Sequence, residues 1–157
     1  MSRQPDWASK LRHLGFLANP HIKRLTWDAD HVYTVLQQSD IGIIPIETEV
    51  ERGALEGWQV KSENRLTLKM AVGLPVVATP IPAYEPVVQQ GVYAFLARSR
   101  SDWIACLSAL RDPALRRSMG IQARQTALTQ YSMSRQAEKL VAVLRALIAP
   151  VASSDLN

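Results

Sequence analysis

The stretch Met70-Ala71-Val72-Gly73-Leu74-Pro75-Val76-Val77-Ala78-Thr79 decides the reading of the fold. Upstream of it, Ser62 stands where it can cap a helix running to about Val72, and Gly73 supplies the left-handed stop such a helix needs. Leu74 to Thr79 then gives an apolar run without alternation, which predicts a strand buried on both faces. Working outward, Asp40-Ile41-Gly42-Ile43-Ile44-Pro45-Ile46 has the same character. It predicts a second doubly covered strand, with Pro45 at the end where the ladder stops. Between these two strands lie the acidic residues 47–62, with Gly53 and Gly57 and no clean period, the one long loop expected in the chain.

Further out, Pro80, Pro82 and Pro86 punctuate the next connection, and Val92 to Leu96 predicts a third, weaker strand. Trp103, Leu107 and Leu110 share one helical face. Asp112-Pro113 opens another helix as N-cap and first-turn proline, with Leu115, Met119 and Ala123 as its inner stripe. After a break at Tyr131-Ser132, Ala137, Leu140, Val141, Leu144 and Ile148 mark a final amphipathic helix. Toward the N-terminus, residues 22–27 read as a strand, and Asp28 or Asp30 as the cap of a helix through Val32, Val35 and Leu36. Trp7, Leu11 and Leu14 fall at helical spacing ahead of Gly15. Strands alternating with helices predict an α/β domain with a mostly parallel, Rossmann-like sheet and flanking helices. One domain over residues 1–150 and a frayed tail over 151–157 are expected.

With 47% hydrophobic and 20% charged residues, the 157-residue chain is globular in composition rather than disordered. The net charge of +4 is unevenly placed: residues 1–60 hold 6 Lys/Arg against 8 Asp/Glu, and residues 61–157 hold 12 against 6. Most of the arginines fall on predicted helices, and aromatic-plus-basic clusters are missing, which argues against nucleic acid as a partner. The lone Cys106 reads as a small core residue, in keeping with a reducing cytoplasm. No apolar run approaches the roughly 20 residues of a membrane span. His13, His21 and His31 lack the partners of a catalytic or metal site, and Trp27 and Trp58 read as packing residues.

Three stretches in order resemble the nucleotide-binding domain of group-1 (GT4-like) glycosyltransferases. They are Ser39 to Pro45, Asn64-Arg65-Leu66 through Met70 to Thr79, and Asp112 to Arg116 followed by Gly120, Ala123-Arg124 and Tyr131-Ser132. The resemblance covers about residues 22–148. It implies the C-terminal, donor-binding half of a two-domain GT-B enzyme, truncated at its N-terminus, with a nucleotide sugar as donor substrate and no resident cofactor or metal.

The physics of a diphosphate site agrees with that implication. In open parallel sheets ligands bind beyond the carboxyl ends of the strands. The loop after Ile46 delivers Lys61-Ser62-Glu63-Asn64-Arg65 to a helix N-terminus, where free N–H groups and the dipole favour an anion. Lys61 and Arg65 add two cations, Asn64 a donor, and Ser62 either caps the helix or joins the site. Thr79, at the next strand end, either reaches the same crevice or bonds local backbone.

Two departures stand out. Counting back from Gly73, the family's two glutamate positions hold Leu68 and Val60, and Glu63 lies off register. The acceptor-binding domain and the Gly-rich opening of the donor domain are also missing, with no GxGxxG or Walker-type loop in their place. The expectation is therefore a donor-binding component that is inactive alone. Its acceptor side would come from a partner subunit or a missing N-terminal domain. The alternative is a non-catalytic binding module derived from the same fold. Self-association through an uncovered sheet edge and exposed helix faces is a further expectation.

Overall fold

The computed structural model describes residues 18–46 and 59–148. The elements are α1 (Val32–Gln37), β1 (Gly42–Ile44), α2 (Asn64–Ala71), β2 (Val76–Ala78), β3 (Ala94–Leu96), α3 (Arg100–Ala109), α4 (Pro113–Gln130) and α5 (Met133–Ile148). The three strands form one parallel sheet in the order β1-β2-β3, in register Gly42–Val76–Ala94 through Ile44–Ala78–Leu96. The expected α/β, Rossmann-like arrangement is what the chain adopts.

The central strand explains the layering. Val76 and Ala78 point into a core shared with Leu66 and Met70 of α2 and Ala123 and Ala127 of α4. Val77, between them, points to the other face and packs with Cys106 and Leu110 after α3 and with Met119 of α4. All three β2 residues are fully buried, as expected of a strand covered on both sides. β1 departs from that expectation. Gly42 and Ile44 are buried, but Ile43 is 53% exposed, because among the described residues no helix covers that face of the outer strand.

The junction between α2 and β2 is the tightest packing in the fold. Gly73 has φ +86°, the left-handed stop read from the sequence. Helix α4 lands on this turn: a Cβ at Gly120 would collide with the Gly73 carbonyl oxygen. Arg124, one turn further on, donates to the Ala71 carbonyl at 3.2 Å and so satisfies an open end of α2. Helix α4 starts as expected, the Asp112 carboxylate accepting the Ala114 N–H at 2.9 Å with Pro113 in the first turn. Helix α3 carries a capping box, Ser99 and Asp102 bonding each other's backbone. The Asp102 carboxyl is held below its ordinary range by the backbone N–H of Ser99, then by the Ser99 hydroxyl and the Arg98 N–H.

Several expectations need correction. Residues 22–28 form no strand: they pair with nothing in a ladder, and Trp27 is 77% exposed. The cap before α1 is real, though, since Asp28 accepts the Asp30 N–H at 2.8 Å and also meets His31 at 3.1 Å. In α3 it is Cys106, not Leu107, that turns inward with Leu110. The apolar stripe read for α5 is present, and the structure gives its place: Leu140, Val141, Leu144 and Ile148 are all exposed, and no α5 residue is buried. Periodicity specifies the helix and its apolar side, not what that side meets. The outer edge of β3 is not bare either. The Gln90 side chain accepts from the Leu96 N–H at 2.7 Å and donates to its carbonyl at 3.4 Å, standing in for a neighbouring strand.

The helix expected around Trp7 to Leu14, most of the 47–62 loop with Trp58, His13 and the tail from 151 fall outside the described residues. Among the described residues no helix is long and apolar enough to cross a membrane.

Candidate functional site

Helix α2 begins beside the carboxyl ends of β1 and β2, and its opening turn lacks a conventional cap. Ser62 does not cap it, contrary to one reading of the sequence. Glu63 occupies the N-cap position in helical conformation (φ −72°, ψ −3°), and no side chain bonds the first-turn N–H groups. Having already turned into the helix, Glu63 accepts from Leu66 and Thr67 through its carbonyl, at 2.9 and 3.0 Å, and Ser62 is left outside.

Lys61, Ser62 and Arg65 come together with Tyr84 around a cleft of about 220 Å³. Three of the five residues singled out in the sequence are thus neighbours in space. Asn64 is exposed on the same opening turn but does not line the cleft. Thr79 also lies off it: 8% exposed, its hydroxyl accepts the Ile46 N–H at 2.9 Å and ties the end of β2 to the chain leaving β1. Among the described residues Lys61 and Arg65 make no ion pair, whereas Arg98 and Arg116 meet Glu85 (3.0 Å) and Asp40 (3.6 Å). The positive charge at the cleft is paired with no acid among the described residues. It extends along α2: burial lowers the Lys69 ammonium from its ordinary range, and Arg65 one turn away pushes the same way.

Tyr84 is the residue that sequence reasoning missed. It sits in the turn after β2, its backbone fixed by bonds to Ile81 and from Val87 and Val88, and its side chain is fully buried against the α2 core. Its hydroxyl is buried without a hydrogen-bond partner, a state that costs about 1–3 kcal/mol. Tyr93 shows the contrast, donating to the Val87 carbonyl at 2.7 Å. Burial raises the Tyr84 phenol and Arg65 partly offsets this, so the group is protonated at neutral pH and able to donate. The available signal was position: an aromatic residue in the proline-punctuated connection leaving the carboxyl end of the central strand.

Among the described residues the lining has four side-chain donors, two of them cationic, and no carboxylate. That is the chemistry of an anion site at a helix start. Among the described residues no three His, Cys, Asp or Glu gather as metal ligands. Leu68 and Val60, at the places where the resemblance would put glutamates, bring no acid to it.

A family model described as glycosyl transferase-like matches residues 5–142, most of the chain. The chain belongs to this glycosyl transferase-like family. No curated protein matches it. In the glycosyl transferase-like chain the matched span takes in the described sheet, the α2 start and the Gly73–Gly120 junction.

Proposed function

We propose that the chain binds the nucleoside-diphosphate part of an activated sugar donor, as the donor-side, GT-B C-terminal-like component of glycosyl transfer. The observation that carries this reading is the convergence of unpaired Lys61 and Arg65 on the uncapped start of α2. In transfer, the bond between the anomeric carbon and the leaving phosphate oxygen breaks, and the diphosphate departs with the electron pair. Cations and a helix dipole beside that oxygen stabilise the charge as it develops. The cleft of about 220 Å³ is smaller than the roughly 300–1,000 Å³ of a whole small-molecule pocket. It accommodates the phosphate end, with the base and sugar extending beyond it. The acceptor belongs to a partner subunit or a further domain.

Charge-assisted hydrogen bonds contribute about 1.5–3 kcal/mol each. Replacing both Lys61 and Arg65 by alanine should therefore weaken UDP or GDP binding about a hundredfold or more in calorimetric titration. The loss should shrink as salt rises, since exposed charges are screened. Unchanged affinity in the double variant would remove the cleft from the account. A second reading, a binding module without transfer activity, is favoured by the lack of any carboxylate lining the cleft. Nucleotide binding without turnover in the presence of any acceptor-side partner would support it.

A further inference from the structure

Tyr84 differs from every other buried polar side chain described. It alone has a hydroxyl closed to water and bonded to nothing. Phenylalanine would fill the same ring space among Leu66, Met70, Val76 and Val87 without that cost. The turn holding it is fixed by four backbone hydrogen bonds, with Tyr84 and Glu85 donating to Ile81 and Val87 and Val88 donating to Tyr84, so the ring cannot swing out to find a partner. Tyr84 lines the cleft with Lys61, Ser62 and Arg65, and the Arg65 charge acts on its phenol. Two of the other lining side chains, Ser62 and Arg65, are exposed and Lys61 is half-buried, so these walls of the cleft have room to move aside for a ligand. What the unliganded protein lacks at this atom is an acceptor, and phosphate oxygens are acceptors only.

We propose that Tyr84 is a ligand-binding residue of this cleft, its hydroxyl donating to an anionic phosphate oxygen that Lys61 and Arg65 neutralise. The inference rests on the phosphate reading of the cleft and adds a neutral, buried, directional donor beneath two mobile charges. It explains why an unsatisfied hydroxyl persists in the core, since the group is unpaired only without ligand. It also separates the roles: Lys61 and Arg65 supply salt-sensitive attraction, whereas Tyr84 supplies a bond that added salt leaves intact.

The test is Tyr84→Phe, followed by thermal unfolding of the unliganded chain and by calorimetric titration with UDP, inorganic pyrophosphate and uridine. The unliganded variant should melt at the same temperature as the wild type or higher, because an orphaned hydroxyl is gone. Affinity for UDP and pyrophosphate should fall about tenfold, the loss staying constant between low and high salt, with no change for uridine. A variant that melts lower and binds UDP as the wild type does would make Tyr84 structural and overturn the proposal. An equal loss for uridine would overturn it too, by placing the hydroxyl on the nucleoside. Wild-type protein that binds neither UDP nor pyrophosphate would bring down the phosphate reading itself. Binding by the wild type with no change in Tyr84→Phe removes Tyr84 alone.

Discussion

The two ends of α2 are built on opposite plans. At its C-terminal end every open group is engaged: Gly73 turns the chain at φ +86°, Leu74 donates to Lys69 at 3.1 Å, and Arg124 donates to Ala71. Gly120 presses a second helix against the turn without room for a methyl group. At its N-terminal end, among the described residues, no side chain caps the first turn, two cations lack acids, and a buried hydroxyl lacks a partner. Of these the buried hydroxyl costs stability, and each is a group a phosphate would satisfy. On the proposed function, the helix is anchored at one end and open to a ligand at the other.

That contrast can be broken most forcefully at Gly120. Alanine has the higher intrinsic helix propensity, by about 1 kcal/mol, so in an uncrowded helix the change would stabilise. Here the new Cβ meets the Gly73 carbonyl oxygen, and Gly120→Ala should instead destabilise by about 3 kcal/mol or prevent folding. Denaturant titration checks the sign. Gly73→Ala is the gentler probe of the same junction. Its Cβ has 3.8 Å of room, so only the left-handed backbone is strained and the loss should be about 1–2 kcal/mol. A Gly73→Ala loss as large as that at Gly120 would mean that turn geometry, not helix contact, anchors α2.

At the open end the expected effect on stability is the smallest. Ser62 makes no cap, so Ser62→Ala should change unfolding stability by less than about 0.5 kcal/mol, as for ordinary surface positions. A loss near 1 kcal/mol, the usual value of an N-cap, would restore Ser62 as a structural cap and weaken the contrast.

The anchored end was legible in the sequence and the open end only in part. Gly73, the buried Val76–Ala78 strand and the Asp112-Pro113 start follow from local chemistry, since a left-handed turn, an unalternating apolar run and a capping pair act over a few residues. Lys61 and Arg65 were found because a charged helix start after a long loop is also a local pattern. Ser62 misled, because its use depends on where the helix begins, and Glu63 adopts helical conformation first. Tyr84 stayed hidden because the loss of its partner exists only once the turn after β2 folds over α2. Helix α5 makes a related point: its stripe of Leu140, Val141 and Leu144 was legible as a helix face, but periodicity did not say which helix would be the exposed one.

The central claim, that α2 is open to a phosphate at one end only, is tested most directly by amide hydrogen exchange with and without saturating UDP or GDP. Ligand binding slows exchange of the whole folded chain to some degree. The account predicts additional, local slowing at Asn64, Arg65 and Leu66, with Gly73 and Leu74 following only the uniform change. Slowing centred on the Gly73 turn, or a uniform change with nothing extra at the start of α2, would contradict it.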